Sequence, residues 1–305
     1  MAKRIVSMGS VNMDLCMYMQ VMPDIGETVL ADKYVTYPGG KAGNQAATAG
    51  ELGGNVCVLA RLGDDAFSDK LTKEMKRHGV DTSHLIYEKG ATAGIAMIRI
   101  DSKGRNSISF TPGANAALSP QDVSMHEEAF EENGILLITL ELPLETIRAA
   151  LTLAKQKNMT VLLDPSPVPD DGLPEDLYKM IDYAKPNEIE AELLTGIPVT
   201  DAISAKKACD RLMQMGIACP IISMSNKGAY SCLAGEEIKV APLKVASIDS
   251  TAAGDIFLGA FAVALSKGEP AERCLAYANV AAALSTTRKG AQTSIPTSRE
   301  ISEML

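Results

Sequence analysis

Residues 134–163 read GILLITLELPLETIRAALTLAKQKNMTVLL, and this stretch decides the fold. Its first part, Gly134–Leu140, is a short apolar run of the kind that forms a strand buried in a parallel sheet. Leu144–Lys157 predicts an amphipathic helix, and Thr160–Leu163 predicts the next strand. A strand, a helix and a second strand in this order indicate an α/β fold with a parallel sheet.

The same alternation continues towards both ends of the chain. Further strands are predicted at Ile5–Val11, Asn55–Leu62 and Pro220–Ser223. Further helices are predicted at Lys41–Leu52, Ala66–His78, Glu175–Ile181, Glu188–Leu194, Ala202–Met215, Ala253–Leu265 and Ala271–Ser285. At 305 residues with 46% hydrophobic content, the chain is long enough for one sizeable core, and 1–305 is predicted to be a single domain.

Two stretches interrupt this alternation, Cys16–Tyr37 and Thr92–Phe110. The second contains two strand patterns joined by Asp-Ser-Lys-Gly-Arg-Asn at 101–106, which is a hairpin signal. Because neither stretch precedes a helix in the parallel pattern, about 16–37 and 92–110 are predicted to form a small β-sheet lid on the α/β core. The alternative is a pair of excursions within one continuous sheet. A third hairpin is predicted over Ala229–Val240, with its turn at 234–237.

The composition argues against nucleic-acid and membrane partners. The net charge is −9 and no run of Lys or Arg occurs, whereas nucleic-acid binders carry basic patches. A nucleotide can still bind, because backbone amides and a metal ion hold phosphate without net positive charge. No uncharged apolar stretch reaches about 18 residues, so no membrane span is predicted. The basic start, MAKRIVSMGSVNMD, lacks a long apolar segment, and a cytoplasmic location is expected.

The cysteines and histidines form no recognisable metal or redox motif. The six cysteines contain no CxxC pair, and no Cys/His cluster has zinc spacing. Four cysteines lie in or beside apolar runs and are interpreted as buried thiols: Cys16, Cys57, Cys219 and Cys232. All three histidines are predicted in surface helices or loops, with structural roles: His78, His84 and His126.

The strongest local signal for function is DSTAAGDIFLGA at 249–260. Its small residues Ala252, Ala253 and Gly254 open a predicted helix, whose first amides have no partner within the helix. These amides and the helix dipole predict an anion hole for a transferred phosphoryl group. Asp255, one residue further on, can accept the proton of an attacking hydroxyl. The alternative is that Asp255 only complements the helix dipole.

A second signal is YPGGKAGNQA at 37–46. The adjacent glycines allow a tight turn and close approach of the backbone to a ligand. Lys41 and Asn44 supply donors that suit sugar hydroxyls, although a plain turn before a helix is the alternative. The chain contains neither GxxxxGK[ST] nor GxGxxG, which argues against a P-loop and against a dinucleotide-binding dehydrogenase.

Two further segments carry polar residues at informative places. In GSVNMD at 9–14, Asn12 and Asp14 follow an apolar strand, where ligands bind at the carboxyl end of a parallel sheet. Turn or capping chemistry is the alternative there. In KPNEIEAE at 185–192, Asn187 and Glu190 have the spacing of a capping box. The functional alternative is that Glu190 orients water on a Mg²⁺ ion held by ATP phosphates.

Together these four segments resemble the ribokinase-like family of carbohydrate kinases. The resemblance runs from about Ile5 to Pro296 and includes PGANAALSP at 112–120, PNEIEAELLTGI at 186–197 and TRKGAQTSIP at 287–296. It implies a three-layer α/β/α core with a mostly parallel central sheet and a small β-sheet lid. It also implies ATP-dependent phosphorylation of the primary hydroxyl of a small sugar, with ribose expected. Another sugar or a nucleoside is the alternative within the family, and a non-catalytic sensor is a more remote one.

The resemblance also implies roles for individual residues. Asp255 would be the base, and the amides of Ala252, Ala253 and Gly254 would form the anion hole. Sugar contacts would come from Asp255 and from Asn12, Asp14, Gly40, Lys41, Asn44 and Glu141. The ATP site would include Asn187, Ser223, Ser225, Lys227, Gly228, Gly254 and Asn279.

Ions and a second copy of the chain are implied in the same way. Glu190 would serve the Mg²⁺ region through water. A monovalent cation, usually K⁺, would be held mostly by main-chain carbonyls of Asp249, Thr251, Ser285, Arg288, Gly290 and Ser294. The lid would close over the sugar and pair with a second lid in a homodimer, since exposed edge strands seek partners.

Two positions depart from the family pattern. The family reads Gly-Gly-Lys-Gly-Ala-Asn where this chain has Gly-Gly-Lys-Ala-Gly-Asn at 39–44. If position 42 needs a positive φ, Ala42 is strained. Met13 is also bulkier than the small residue expected between Asn12 and Asp14. Since the catalytic segment shows no departure, these differences concern the fit of the sugar rather than phosphoryl transfer.

Overall fold

The computed structural model describes residues 2–233 and 236–305. The strands are, in chain order, β1 (Ile5–Met8), β2 (Asn12–Met19), β3 (Ala31–Gly39), β4 (Val56–Gly63), β5 (Leu85–Glu88), β6 (Gly94–Ile100), β7 (Asn106–Thr111), β8 (Ile135–Thr139), β9 (Thr160–Asp164), β10 (Tyr183–Ala184), β11 (Cys219–Ser223), β12 (Ala229–Leu233) and β13 (Glu236–Val240).

The helices are, in chain order, α1 (Lys41–Glu51), α2 (Ala66–Arg77), α3 (Pro120–Met125), α4 (Leu144–Gln156), α5 (Glu175–Tyr178), α6 (Glu188–Thr195), α7 (Ala202–Met215), α8 (Ala253–Ser266), α9 (Ala271–Ser285) and α10 (Ser298–Ser302). Short 3-10 turns occur at Gly113–Ala117, Glu127–Ala129, Ser225–Lys227 and Gln292–Ser294. No helix of the described residues is long and apolar enough to cross a bilayer.

The central sheet is mostly parallel. Within residues 2–233 and 236–305 it has nine strands in the order β13-β12-β11-β10-β9-β8-β1-β4-β5. The seven strands β11, β10, β9, β8, β1, β4 and β5 pair in parallel, whereas β12 and β13 add an antiparallel edge. Parallel strands need crossover helices, which explains why the helices alternate with the strands along the chain.

Helices cover both faces of this sheet, so the core has two halves. Along β1, Ile5 packs in one cluster with Phe261 of α8 and other residues of α1 and α9. Its neighbour Val6 packs in the other cluster with Ile147 of α4. Adjacent residues of a strand point to opposite faces, so each inner strand supplies apolar side chains to both halves. The predicted three-layer α/β/α core is confirmed.

A second, smaller sheet lies at the carboxyl end of β1. Its strands, among the described residues, have the order β3-β2-β6-β7, with β2 parallel to β6 and the outer pairs antiparallel. The predicted small β-sheet is therefore confirmed, and the alternative of one continuous sheet is wrong. The second sheet begins at Asn12 and ends at Thr111, slightly beyond the predicted stretches.

Several predicted boundaries need correction. The first strand ends at Met8 rather than Val11, because Gly9 has φ +156° and the chain turns there towards the second sheet. The turn of the third hairpin is predicted at 234–237. Ala234 and Gly235 lie outside the described residues, whereas Glu236 and Glu237 belong to β13 rather than to the turn.

Two predictions about burial also differ from the structure. His78 and His84 are buried, at 8% and 7% exposure, although surface positions were predicted for them. His78 Nδ1 pairs with Glu51, and the ring of His84 meets that of His126, and periodicity within one helix does not reveal such long-range contacts. Cys219 is half-buried, whereas Cys16, Cys57 and Cys232 are buried as predicted.

Candidate active site

The candidate site lies where the carboxyl ends of β1 and β9 meet the first turns of α1 and α8. The chain enters α1 through Gly40, which has φ +82°. A Cβ at Gly40 would lie 2.6 Å from the backbone nitrogen of Asn12 and 2.7 Å from the carbonyl oxygen of Ser10. Only glycine fits this close approach, so α1 starts directly against the 10–12 turn and presents Lys41 to the site.

The exchanged pair after Lys41 causes no backbone strain. Ala42 and Gly43 both lie within α1, and neither has a positive φ. Ala42 is fully buried, and a Cβ at Gly43 would meet its nearest neighbour, a methyl group of Val11, at 3.6 Å. The strain considered for Ala42 is therefore absent.

Asp255 is held by side chains of α1. Asn44 Nδ2 donates to Asp255 Oδ2 at 2.8 Å, and Lys41 Nζ lies 3.8 Å from Asp255 Oδ1. Asp255 is buried, with 6% exposure. Burial raises the pKa of Asp255 above its ordinary value, and the charge of Asp164 adds to this, although Lys41 opposes it. A raised pKa makes the carboxylate a stronger proton acceptor.

Asp164 is a second buried carboxylate that the sequence analysis missed. Its Oδ2 accepts from Lys41 Nζ at 3.1 Å and from Gln45 Nε2 at 3.0 Å. Burial favours the neutral amine of Lys41, but Asp255 and Asp164 together raise its pKa above the ordinary value. Lys41 is therefore a fixed cation between two carboxylates.

Two of the side chains predicted to hold the sugar, those of Asn12 and Glu141, are oriented by hydrogen bonds. Asn12 Oδ1 accepts from Asn115 Nδ2 at 2.8 Å, and the same Asn115 accepts from the backbone of Val11 at 2.9 Å. The PGANAALSP segment thus orients Asn12. Glu141 accepts a short hydrogen bond from the hydroxyl of Ser10.

The negative charges of neighbouring carboxylates raise one another's pKa at this site. Burial raises the pKa of Asp14 to about 7, with contributions from the charges of Asp255 and Glu141. Burial also raises the pKa of Glu141, against the hydrogen bond from Ser10. Raised pKa values for several acids in one place are typical of functional sites.

The first turn of α8 presents backbone amides. Ala252 precedes the helix in the left-handed region, with φ 59°, which costs about 1 kcal/mol for a residue with a Cβ. Ala253 donates its amide to Ser250 O at 3.2 Å, whereas the amides of Ala252 and Gly254 donate to no group within the described residues. Two of the three predicted donors are therefore available to an anion.

A cavity of about 830 Å³ opens on the other side of Gly254. Six of the seven predicted ATP residues line it: Asn187, Ser223, Ser225, Gly228, Gly254 and Asn279. Lys227 does not, because its amine donates to Thr200 O at 2.6 Å. Lys185, which was not assigned a role, lines the cavity, and its Nζ lies 3.2 Å from where a Cβ of Gly254 would be.

Comparison with known proteins gives the same assignment as the geometry. The family model of the pfkB family carbohydrate kinases matches residues 2–298. The chain belongs to the pfkB family of carbohydrate kinases. Ribokinase of Haemophilus influenzae is 35% identical over 100% of this chain and 99% of its own length. Deoxyribokinase of Salmonella typhi is 33% identical over 99% of this chain and 98% of its own length.

A solved structure extends the similarity to three dimensions. Arabidopsis thaliana ribokinase, complexed with ribose and ATP, has a TM-score of 0.91 and 30% identity. The match covers 100% of this chain and 99% of that chain. The enzyme is thus a pfkB-family carbohydrate kinase with a ribokinase-like fold.

The predicted magnesium residue of this pfkB kinase has a capping role. Asn187 Oδ1 accepts from Glu190 N at 2.9 Å, and Glu190 Oε2 accepts from Asn187 N at 2.9 Å, which is the predicted capping box. The acid that lines the cavity is Glu188, two residues earlier. A role of Glu190 at Mg²⁺ stays a prediction.

The six residues predicted around a monovalent cation lie in segments that partly converge beside α8. Asp249 Oδ1 accepts from Thr251 N at 3.0 Å, and Asp249 Oδ2 accepts from Gly290 N at 2.9 Å. Ser285 and Ser294 are buried and donate their hydroxyls to local carbonyls at 2.8 and 2.7 Å. Arg288 Nη1 donates to Ile295 O at 3.3 Å. The structure thus joins the 249–251 and 290 loops directly.

Proposed function

We propose that this pfkB kinase transfers the γ-phosphoryl group of ATP to the primary hydroxyl of D-ribose, forming ribose 5-phosphate. One observation carries the proposal. Gly254 lines the large cavity, while its neighbour Asp255 binds Asn44 among the residues predicted to hold the sugar. Two compartments therefore meet at adjacent residues, as transfer between two bound substrates requires.

The carboxylate of Asp255 would take the proton of the sugar hydroxyl as its oxygen attacks the γ-phosphorus. The new P–O bond forms while the bond to the bridging oxygen breaks, and ADP leaves. Asn44 keeps the carboxylate oriented through its 2.8 Å hydrogen bond. The free amides of Ala252 and Gly254 face the charge that develops on the transferred group.

The nucleotide would occupy the 830 Å³ cavity, with Lys185 close to the phosphates. Mg²⁺ bound to those phosphates would neutralise charge as the bond to the leaving group breaks. Asn187 and Glu188 at the start of α6 line the same cavity and are the residues of that segment best placed to face it. K⁺ at the 249–251 and 290 loops would stiffen the start of α8.

The second sheet would act as the lid over the sugar. Asp14 belongs to β2 of that sheet and also to the carboxylate group around Asp255, so movement of the sheet would reach the site. Closure would exclude water and limit ATP hydrolysis. We further propose that two lids pair in a homodimer.

The choice of ribose is supported by the similarity to ribokinases and by the unstrained α1 start. The similarity to a deoxyribokinase makes 2-deoxyribose the second candidate. An assay of ADP formation should compare ribose, 2-deoxyribose, hexoses and a nucleoside, each with and without K⁺. We expect the highest kcat/KM with ribose and activation by K⁺. A tenfold preference for another acceptor would overturn the assignment to ribose.

A further inference from the structure

Three side chains that play no part in the proposed reaction converge at one edge of the molecule. His84 Nδ1 lies 3.2 Å from His126 Nδ1. Glu128 Oε1 lies 3.6 Å from His84 Nδ1 and 3.9 Å from His126 Nδ1. Within the described part of the chain this is the one group of three His, Cys, Asp or Glu residues whose ligand atoms come this close together.

The group lies at an edge of the central sheet, and none of its three residues lines the 830 Å³ cavity. His84 immediately precedes β5, the edge strand, whose first residue Leu85 pairs with Ala60 of β4. His126 is the C-cap residue that follows α3, and Glu128 lies in the next 3-10 turn. The two histidines are 42 residues apart in sequence, which explains the absence of a local motif.

Backbone hydrogen bonds hold the segment that carries His126, and burial restricts the ring of His84. His126 N donates to Asp122 O at 3.1 Å, and Ala129 N donates to His126 O at 3.0 Å. The side chain of His84 is only 9% exposed, and its ring meets that of His126 edge-on at an interplanar angle of 84°. The carboxylate of Glu128 is 67% exposed and free to adjust. Two rigid ligands and one adjustable ligand suit the capture of an ion.

The distances match those of a zinc site. With Zn–N bonds of about 2.0–2.1 Å and tetrahedral angles, two nitrogen ligands lie about 3.3 Å apart. The observed separation is 3.2 Å. A small rotation of Glu128 would bring its oxygen to the same range. Imidazole nitrogens with one carboxylate oxygen form a ligand set that Zn²⁺ favours.

We propose that His84 Nδ1, His126 Nδ1 and a carboxylate oxygen of Glu128 bind one Zn²⁺ ion, with water in the fourth position. The ion would join the loop before β5 to the connection between α3 and β8. It would therefore stabilise this edge of the fold without entering the phosphoryl transfer. A hydrogen bond between neutral imidazoles is the simpler alternative, and it predicts no metal affinity.

Titration of tag-free, metal-depleted protein with ZnCl₂ in a calorimeter tests the site. We expect one ion per chain, and a rise in Tm of about 4 °C when free Zn²⁺ reaches about 100 times its dissociation constant. His126→Ala and Glu128→Gln should each lower the affinity at least tenfold. Glu128→Gln changes an exposed side chain, so it tests the site even where His126→Ala impairs folding.

Two matched controls separate the site from general metal binding. Glu127→Gln removes the neighbouring acid, which pairs with Lys157 at 2.7 Å, and should leave Zn²⁺ affinity unchanged. His78→Gln removes another buried histidine, whose Nδ1 pairs with Glu51, and should also have no effect on affinity. Equal losses in these controls would contradict the proposal.

Cobalt gives a spectroscopic test of the geometry. Co²⁺ in a tetrahedral site with imidazole ligands absorbs visible light strongly, and added Zn²⁺ should remove that absorption. We expect the bands in wild type and their loss in His84→Ala. Absence of any Zn²⁺ or Co²⁺ binding by folded wild type would overturn the proposal.

Kinase turnover per active site at saturating substrates should be the same in wild type and Glu128→Gln.

Discussion

At the scale of single residues, the site is a group of four acids, two buried and two half-buried, beside Lys41. Lys41 contacts Asp164 and Asp255 and opposes the rise in the pKa of Glu141. The pKa of Asp14 is raised by burial and by the charges of Asp255 and Glu141. Burial raises the pKa of Asp255 and so improves it as a base.

Asp164 should act as a positioning residue. Asp164→Asn removes the charge that helps to raise the pKa of Asp255 and weakens the hold on Lys41. We expect kcat to fall about tenfold or more, with the acidic limb of the kcat–pH profile shifted to lower pH. A fall in kcat without any shift of that limb would contradict this electrostatic role.

Asp14 should lower the stability of the ligand-free protein at neutral pH while it contributes to ribose binding. Its pKa is raised from 3.8 to about 7 in the folded protein, so the native state binds more protons than the unfolded state between these values. Stability contributed by this group is therefore lost as pH rises from about 4 to about 7.

Asp14→Asn should then stabilise the ligand-free protein at pH 8 by on the order of 1 kcal/mol, with little change at pH 4. Ribose affinity should fall in the same variant. Thermal unfolding at both pH values, with calorimetry for ribose, measures the two effects. An equal Tm difference at both pH values would argue against the raised pKa.

At the scale of elements, the starts of α1 and α8 decide the geometry of the site. Gly40 lets α1 begin against the backbone of Ser10 and Asn12. Ala252 adopts a left-handed conformation before α8, and Gly254, which lines the cavity, has an amide that donates to no group of the described residues. Strain and glycine both occur where the backbone must approach a ligand.

Two glycines of this region should respond to alanine in opposite ways. Gly40→Ala should destabilise the protein by about 1–3 kcal/mol and lower activity, because φ +82° and the 2.6 Å contact both exclude a Cβ. Gly43→Ala should stabilise it by about 0.5–1 kcal/mol, since that position is helical with space for a methyl group. Denaturant unfolding of both variants measures this; similar destabilisation in the two would contradict the account of α1.

Much at this scale was predictable from sequence, and the omissions have physical reasons. The Asn187–Glu190 capping box and α8 are local patterns, and both were predicted. Asp164 follows an apolar strand just as Asp14 follows β1, so the same argument could have found it. Strands β5 and β10 were missed because four and two residues carry too little periodicity. The meeting of His84 with His126 depends on tertiary packing alone.

At the scale of the whole molecule, the second sheet exposes apolar side chains. Ile108 and Phe110 of β7 are 56% and 51% exposed. Ile108 pairs with Ile98 of β6, so these side chains share one face of the sheet. An exposed apolar face of this kind is typical of an interaction surface, which supports the proposed pairing of lids.

Ile108→Glu should therefore convert a dimer into a monomer. Ser109→Glu is the matched control, because Ser109 is exposed but points to the opposite face of β7. Light scattering after gel filtration measures the mass of each variant. A monomeric wild type, or a dimer that survives Ile108→Glu, would contradict the proposed pairing.

The most direct test of the account is the turnover of Asp255→Asn with ribose and ATP. The substitution keeps the shape and the contact with Asn44 but removes the proton acceptor. We predict a fall in kcat of about 10²–10⁴-fold, while calorimetry shows ATP affinity within a few-fold of wild type. Turnover close to wild type in this variant would contradict the assignment of Asp255 as the base.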